Sequence, residues 1–130
     1  MNDFSNALDV SVSGLKAQAQ RLRHLSENIA NADTPGYRRK TVSFETEFQS
    51  GSDIGRVETG RVKLDPAELE RVYDPSHPMA DETGHFEGTN VNLLIEIADA
   101  REAQQSYEAN LKMFEQSRQM SSDLMSLLQN

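Results

Sequence analysis

Among the side chains able to carry chemistry, the densest group lies between Tyr73 and His85, where His77 and His85 stand near Asp74, Asp81 and Glu82. Imidazoles and carboxylates together can hold a divalent cation, but ligands of one ion recur at helical or tight-turn intervals, and here Pro75 and Pro78 interrupt them. An acidic loop bounded by prolines accounts for the same residues without an ion. Ser76 beside His77 is not a nucleophile and its base, because that chemistry needs a base aimed in space and a third group to orient it. His24 stands among Arg21, Arg23 and Glu27 on a helical stretch, a setting expected to leave it solvated or interfacial. Cysteine is absent, which removes disulfides, thiolate zinc sites and a Cys nucleophile. No Gly-rich loop follows a strand and opens a helix, so phosphate cradles are missing as well. The residues offer no catalytic, metal or cofactor site, and neither an enzymatic reaction nor a small-molecule substrate is expected.

Charge narrows the partners. The net charge of −8 argues against nucleic acid, whose phosphates need a basic face. The imbalance is concentrated in residues 41–90, with 4 basic against 11 acidic side chains, while residues 1–40 carry 6 against 4. The basic run Arg38-Arg39-Lys40 is expected either to flank a turn in solvent or to meet acidic neighbouring subunits.

The elements that position these groups follow from spacing. Leu8, Val12, Leu15, Ala19, Leu22 and Ile29 recur at alternating intervals of four and three, broken at Ser26, which predicts a helix from about Phe4 to Ala30 with a heptad seam. Leu25 widens the stripe, and Gly14 is a soft spot. Near the other end Leu93, Ala100, Tyr107, Phe114 and Leu128 form one heptad set and Ile97, Leu111 and Met125 a second, with Gln104, Arg118 and Ser121 as interruptions. Asn90 or Asn92 can cap that helix, and no Gly or Pro follows Gly88 to stop it.

Residues 33–90 hold all 4 prolines and 6 of the 7 glycines, which is turn and strand chemistry. Pro35-Gly36 suits the centre of a type II turn. Val42, Phe44 and Phe48 alternate with polar residues, and Val57, Val62 and Leu64 form a second run beyond a Gln49 to Gly55 loop, so a small hairpin is expected, with Gly60 as a bulge and Pro66 as its end. Tyr73, Asp74, Pro75, His77 and Pro78 are expected in a fixed, extended connector to the last helix.

The fold class is therefore mainly α: long terminal helices paired as an antiparallel coiled coil, with a small β-hairpin and extended segment inserted. Residues 1–32 and 91–130 would form one helical domain and residues 33–90 the turn, hairpin and connector. Leu, Ile, Val and Phe number only 28 of 130, too few for a comfortable core in one chain. Leu8, Val12, Leu15, Leu22, Ile29, Leu93, Ile97, Tyr107, Leu111, Phe114, Met125 and Leu128 are the candidates for packing between subunits. A soluble coiled-coil adaptor or dimerisation module is the alternative that residue patterning leaves open.

The string Asn28-Ile29-Ala30-Asn31-Ala32-Asp33-Thr34-Pro35-Gly36-Tyr37-Arg38-Arg39-Lys40 closely resembles the N-terminal signature of bacterial flagellar rod, hook and hook-associated proteins. The stretch from Val72 to Asp81, together with Asn90-Val91-Asn92 and Ser106 to Asn110, resembles the proximal-rod branch of the flagellar basal-body rod protein family. The acidic stretch 45–58 falls outside the resemblance. Membership implies that the signature turn of Asn28, Asn31, Asp33, Thr34, Pro35, Gly36 and Tyr37 is structural. It also implies that the terminal helices pack with copies of the chain and with other proximal and distal rod subunits and the hook-basal body complex protein. Export through the flagellar type III apparatus without a cleaved signal, a place in the periplasmic rod of the basal body and contact with the membrane ring belong to the same expectation. No apolar run reaches the length of a membrane span, and the N-terminus lacks a secretory signal pattern, which agrees with it.

Overall fold

A computed structural model describes residues 2–48 and 54–130, and two long helices carry most of it. Helix α1 runs Asn2–Ala30, and helix α2 runs Leu93–Gln129 over 37 residues, about 55 Å at 1.5 Å per residue. Asn92 caps α2 through an extended backbone and a side chain that accepts from the Ile95 amide. Asn90 does other work: its side chain accepts the Arg39 amide at 2.7 Å and donates to the carbonyls of Asp65 and Ala67.

The helices meet at points whose residue numbers rise on one as they fall on the other. Asn28 meets Glu96, Arg21 meets Glu102, and Gly14 faces Asn110. Apart from Leu25, the seam is made of small and polar residues. Ser11, Gly14, Ala17, Leu25 and Asn28 are buried from α1, and Glu96 and Ala103 from α2. Gly14 is an element of the fit rather than a weakness, since a Cβ there would lie 3.1 Å from the Asn110 side chain.

Between the helices the chain turns at Thr34–Tyr37. The Tyr37 amide donates to the Thr34 carbonyl at 3.1 Å, and Gly36 takes φ +77°, the left-handed value that a type II turn demands of its third residue. Strands β1 (Lys40–Thr41), β2 (Phe44–Phe48), β3 (Gly55–Thr59) and β4 (Lys63–Leu64) follow. β2 pairs antiparallel with β3, and β1 with β4. The two ladders form one ribbon in which residues 42–43 oppose residues 60–62, one more on the second side, and Gly60 donates to the Ser43 carbonyl at 2.8 Å within that step. Within the loop expected at Gln49 to Gly55, residues 49–53 lie outside the described residues. β3 rests on α1, where the Val57 amide donates to Ser13 Oγ at 3.1 Å and Arg56 reaches Asp9 at the same distance.

The expected extended connector is not extended. β5 (Arg71–Tyr73) pairs antiparallel with β6 (His85–Glu87), and Asp74 to Gly84 fold back between them. Tyr73 is thus a strand residue, while Asp74, Pro75, His77 and Pro78 lie in the loop. The prolines do remove amide donors, but two aspartates close the turns. Asp74 accepts from the Ser76 amide and hydroxyl, and Asp81 accepts from the Thr83 amide and hydroxyl and from the His85 amide. The His77 ring stacks on Phe86 with centroids 3.9 Å apart, and its Nδ1 accepts the Met79 amide. These carboxylate acceptors, more than the donors missing at Pro75 and Pro78, set the shape of the segment.

Candidate functional site

Two surfaces carry the candidate residues: a polar cluster where the middle segment meets both helices, and an apolar strip along the helix pair. The cluster begins at Asn28, fully buried in the last turn of α1. Its Oδ1 accepts from the Lys40 amide at 2.9 Å and the Tyr37 hydroxyl at 2.8 Å, while its Nδ2 donates to the Lys40 carbonyl at 2.9 Å and to Glu96 Oε2 at 3.3 Å. One amide side chain thereby satisfies a strand backbone, a tyrosine and a carboxylate that are far apart in sequence.

Glu96, 0% exposed in the first turn of α2, takes its charge partner from Arg39 through a short Nε to Oε1 contact. Arg39 also reaches Asp65 at 3.4 Å and Asp99 at 3.7 Å. Burial works against the charged form of this guanidinium, yet the hydrogen bonds and charges of Glu96 and Asp65 together outweigh it and hold its pKa above the ordinary value. Lys40 and Glu27 pair at 2.8 Å, and their hydrogen bond lowers the Glu27 pKa and raises that of Lys40. Arg38 donates to the carbonyls of Asp65 and Ala67. The basic run is therefore neither a solvated flank nor short of acidic partners: its partners lie in the same chain. His24 is likewise not solvated, its side chain 17% exposed in a cleft between α1, β1 and Asp99.

The rest of the signature turn shapes the exit from α1. Asn31 donates from its side chain to the Glu27 carbonyl at 2.8 Å and accepts the Thr34 hydroxyl at 3.1 Å. Asp33 and Thr34 are exposed and Pro35 is half-buried. The Gly36 amide donates to the Gly88 carbonyl at 2.9 Å, and the Thr89 hydroxyl donates to the Ala32 carbonyl at 2.8 Å, so the turn is tied to the strand that leads into α2.

The apolar strip is defined by what the middle segment leaves uncovered. β1 and the residues after it close over Arg21 and His24 of α1 and over Asp99 of α2, and β3 lies on Asp9, Ser13 and Gln20. At about 100° per residue, Leu8, Leu15 and Leu22 fall on the opposite flank of α1's seam and Leu93, Ile97 and Leu111 on the same open flank of α2, while Ile29 and Met125 share the angles of Ser11 and Tyr107 at the seam's edge. The α1 residues, with Val12, are half-buried, whereas Leu93 and Ile97 are 46% and 38% exposed. Tyr107 and Phe114 are half-buried at the edge of the seam. Leu128 points along the seam direction but is exposed, because α2 continues past the start of α1.

On α2 the seam was expected one position away from where it lies. Ile97, Leu111 and Met125 do not line it: Glu96, Ala103 and Asn110 do, because helices at close approach accept small or hydrogen-bonded residues between them. The Glu96–Arg39–Asn28 cluster was missed altogether. Its signal was a lone Glu at a seam position and an Arg ten residues beyond the end of the α1 stripe at Ile29, which only contact in space could join.

Among the described residues, no three His, Asp or Glu side chains converge as metal ligands, and no helix is long and apolar enough to cross a membrane. Residues 1–38 match the family of flagella basal body rod proteins, and residues 82–127 match the flagellar basal body rod FlgEFG protein C-terminal family. The flagellar basal-body rod protein FlgC of Agrobacterium fabrum is 44% identical over 98% of this chain and 97% of its own length. Those of Yersinia enterocolitica and Aquifex aeolicus are each 35% identical, over 83% and 88% of this chain and 85% and 89% of their own lengths. Both helical ends, the signature turn and identity along nearly the whole chain agree: it belongs to the FlgC family of flagellar basal-body rod proteins and is a structural rod subunit.

Proposed function

We propose that this chain is a subunit of the proximal rod, whose terminal helices pair as an antiparallel coiled coil and polymerise with those of neighbours into the axial shaft. The residues 1–32 and 91–130 act as one helical domain, and residues 33–90 clothe one side of it. The shaft transmits torque and encloses the export channel, in the periplasm, and the subunit reaches it through the type III apparatus without a cleaved signal. Its neighbours are copies of itself, proximal and distal rod subunits and the hook-basal body complex protein, with the membrane ring beside them.

One observation carries this reading: the middle segment covers only one side of the helix pair, while the leucine sets of both helices lie on the other. Contiguous apolar surface of that kind is unfavourable in a monomer and becomes core when neighbours cover it. The same deficit leaves the free subunit with frayed helix ends, since the ordering entropy is recovered only on assembly.

Electron microscopy of isolated basal bodies tests the proposal. The chain fits density in the proximal rod, with Leu8 to Ile29 and Leu93 to Met125 against adjacent subunits, and basal bodies from cells lacking it have no rod. A rod that is complete without the chain, or a stable discrete dimer of the purified protein by analytical ultracentrifugation, would favour a coiled-coil adaptor instead.

A further inference from the structure

We propose that the Asn28–Glu96–Arg39 cluster is a register lock: it selects one longitudinal alignment of α1 and α2 among several that the seam's apolar packing would accept nearly equally. The seam itself discriminates poorly. Its buried apolar side chains are Ala17, Leu25 and Ala103, and its other members are small or polar. Both sides repeat every seven residues, Gly14, Arg21 and Asn28 on α1 and Glu96, Ala103 and Asn110 on α2. A slide of one heptad sets Ala103 against Asn28 and Asn110 near Arg21, and among the described residues Leu25 is the one large buried apolar side chain that changes neighbours.

The polar cluster resists that slide from inside the seam, as the ties of Gly36 to Gly88 and of Thr89 to Ala32 resist it from the turn at the same end. Among the described residues, Glu96 and Asn28 are the two largest fully buried side chains, and each satisfies the other. A displacement of about 10 Å, seven residues at 1.5 Å, takes Glu96 from Arg39 and from Asn28 Nδ2 together. A buried charge left without its partner is strongly disfavoured, whereas exchanging both partners for apolar groups is often neutral or stabilising. The best-attested role of such buried polar groups is the choice of register.

Arg39 belongs to the middle segment and also binds Asp65 and Asp99, so the lock fixes the β ribbon to the aligned helices at the same point. A slip would also displace the open leucine sets of α1 and α2 against each other by about 10 Å. The lock itself concerns the fold and stands whatever that surface meets.

The chain has no cysteine, so spin labels can be placed cleanly at Ala19→Cys and Gln105→Cys, two exposed positions level with each other in the observed alignment. Pulsed electron paramagnetic resonance on the full chain should give one distance. With Arg39→Met and Glu96→Leu together, the helical circular dichroism should persist and Tm should stay the same or rise. A second distance should then hold at least about a tenth of the molecules. Leu25→Ala serves as the packing control, with a lower Tm but a single distance. A single distance in the double variant overturns the proposal, and so does loss of its helical signal, which would make the pair necessary for folding itself. A second distance in Leu25→Ala would assign register to packing and overturn it equally.

Discussion

The two sides of the helix pair are built from the same heptads and treated in opposite ways. On the covered side the middle segment brings its own charges down onto the helices: Arg39 to Glu96 and Asp99, Lys40 to Glu27, Arg56 to Asp9. On the open side Leu93, Ile97 and Leu111 face outward beside the leucines of α1. Polar groups are spent where the chain closes on itself, and large apolar groups are kept where it does not. That is the reverse of a self-sufficient domain, whose largest apolar residues fill its own core.

Leu111→Asp breaks the comparison most severely. Leu111 is 37% exposed, so the charge should change the stability of the free chain by no more than about 1 kcal/mol, yet abolish rods because assembly would bury it unpaired. Leu22→Asp, on the half-buried α1 flank, should also abolish rods. Motility, basal-body micrographs and chemical denaturation check both outcomes; rods of normal length would remove the open flank from the interface. In the seam, Leu25→Ala should cost about 2 to 5 kcal/mol of the chain's own stability, read as a lowered urea midpoint.

Asn28→Ala should cost about 2 to 3 kcal/mol, because it strands the Lys40 amide and one oxygen of buried Glu96 together. Gly36→Ala, at φ +77°, should cost about 1 kcal/mol, while Pro35→Ala should be milder still, acting through the freedom of the unfolded chain. Thermal melts rank all three.

The smallest effect sharpens a second contrast, between the two hairpins. Glu45 stands directly across from Glu58 in the β2–β3 ladder, and a hydrogen bond that protonated Glu58 donates to Glu47, together with the like charge of Glu47, raises the Glu58 pKa. In the β5–β6 loop, hydroxyl hydrogen bonds from Ser76 and Thr83 lower the pKa of Asp74 and Asp81. A raised carboxyl contributes stability that is present below its ordinary value and lost as pH rises through the folded-state value. A lowered one contributes stability that is present above its ordinary value and lost as pH falls through the folded-state value. Acidification from neutral pH to about 4 should therefore firm the β2–β3 hairpin, and further acidification should loosen the 74–84 loop. Amide protection factors from nuclear magnetic resonance, which correct for intrinsic exchange, follow each separately.

Much of this was legible from residue types. The uninterrupted run after Gly88 announced α2, and Pro35-Gly36 announced the turn, because both rest on local backbone preference. The β2–β3 hairpin and the step at Gly60 followed from alternation and from a missing Cβ. The 74–84 loop was misread because its closure depends on Asp74 and Asp81 accepting amides two to four residues away, a side-chain event that backbone propensity does not register.

By itself the amino-acid sequence determined two long amphipathic helices, a turn-rich acidic middle and too little apolar matter for a private core. Period and turn chemistry are local, and composition needs no coordinates. Only the tertiary structure decided which stripe of each helix faces the other. That choice is made by how closely two backbones approach, so Gly14, Ala103 and a hydrogen-bonded Glu96 occupy the seam while the leucines that advertised it lie on the flank.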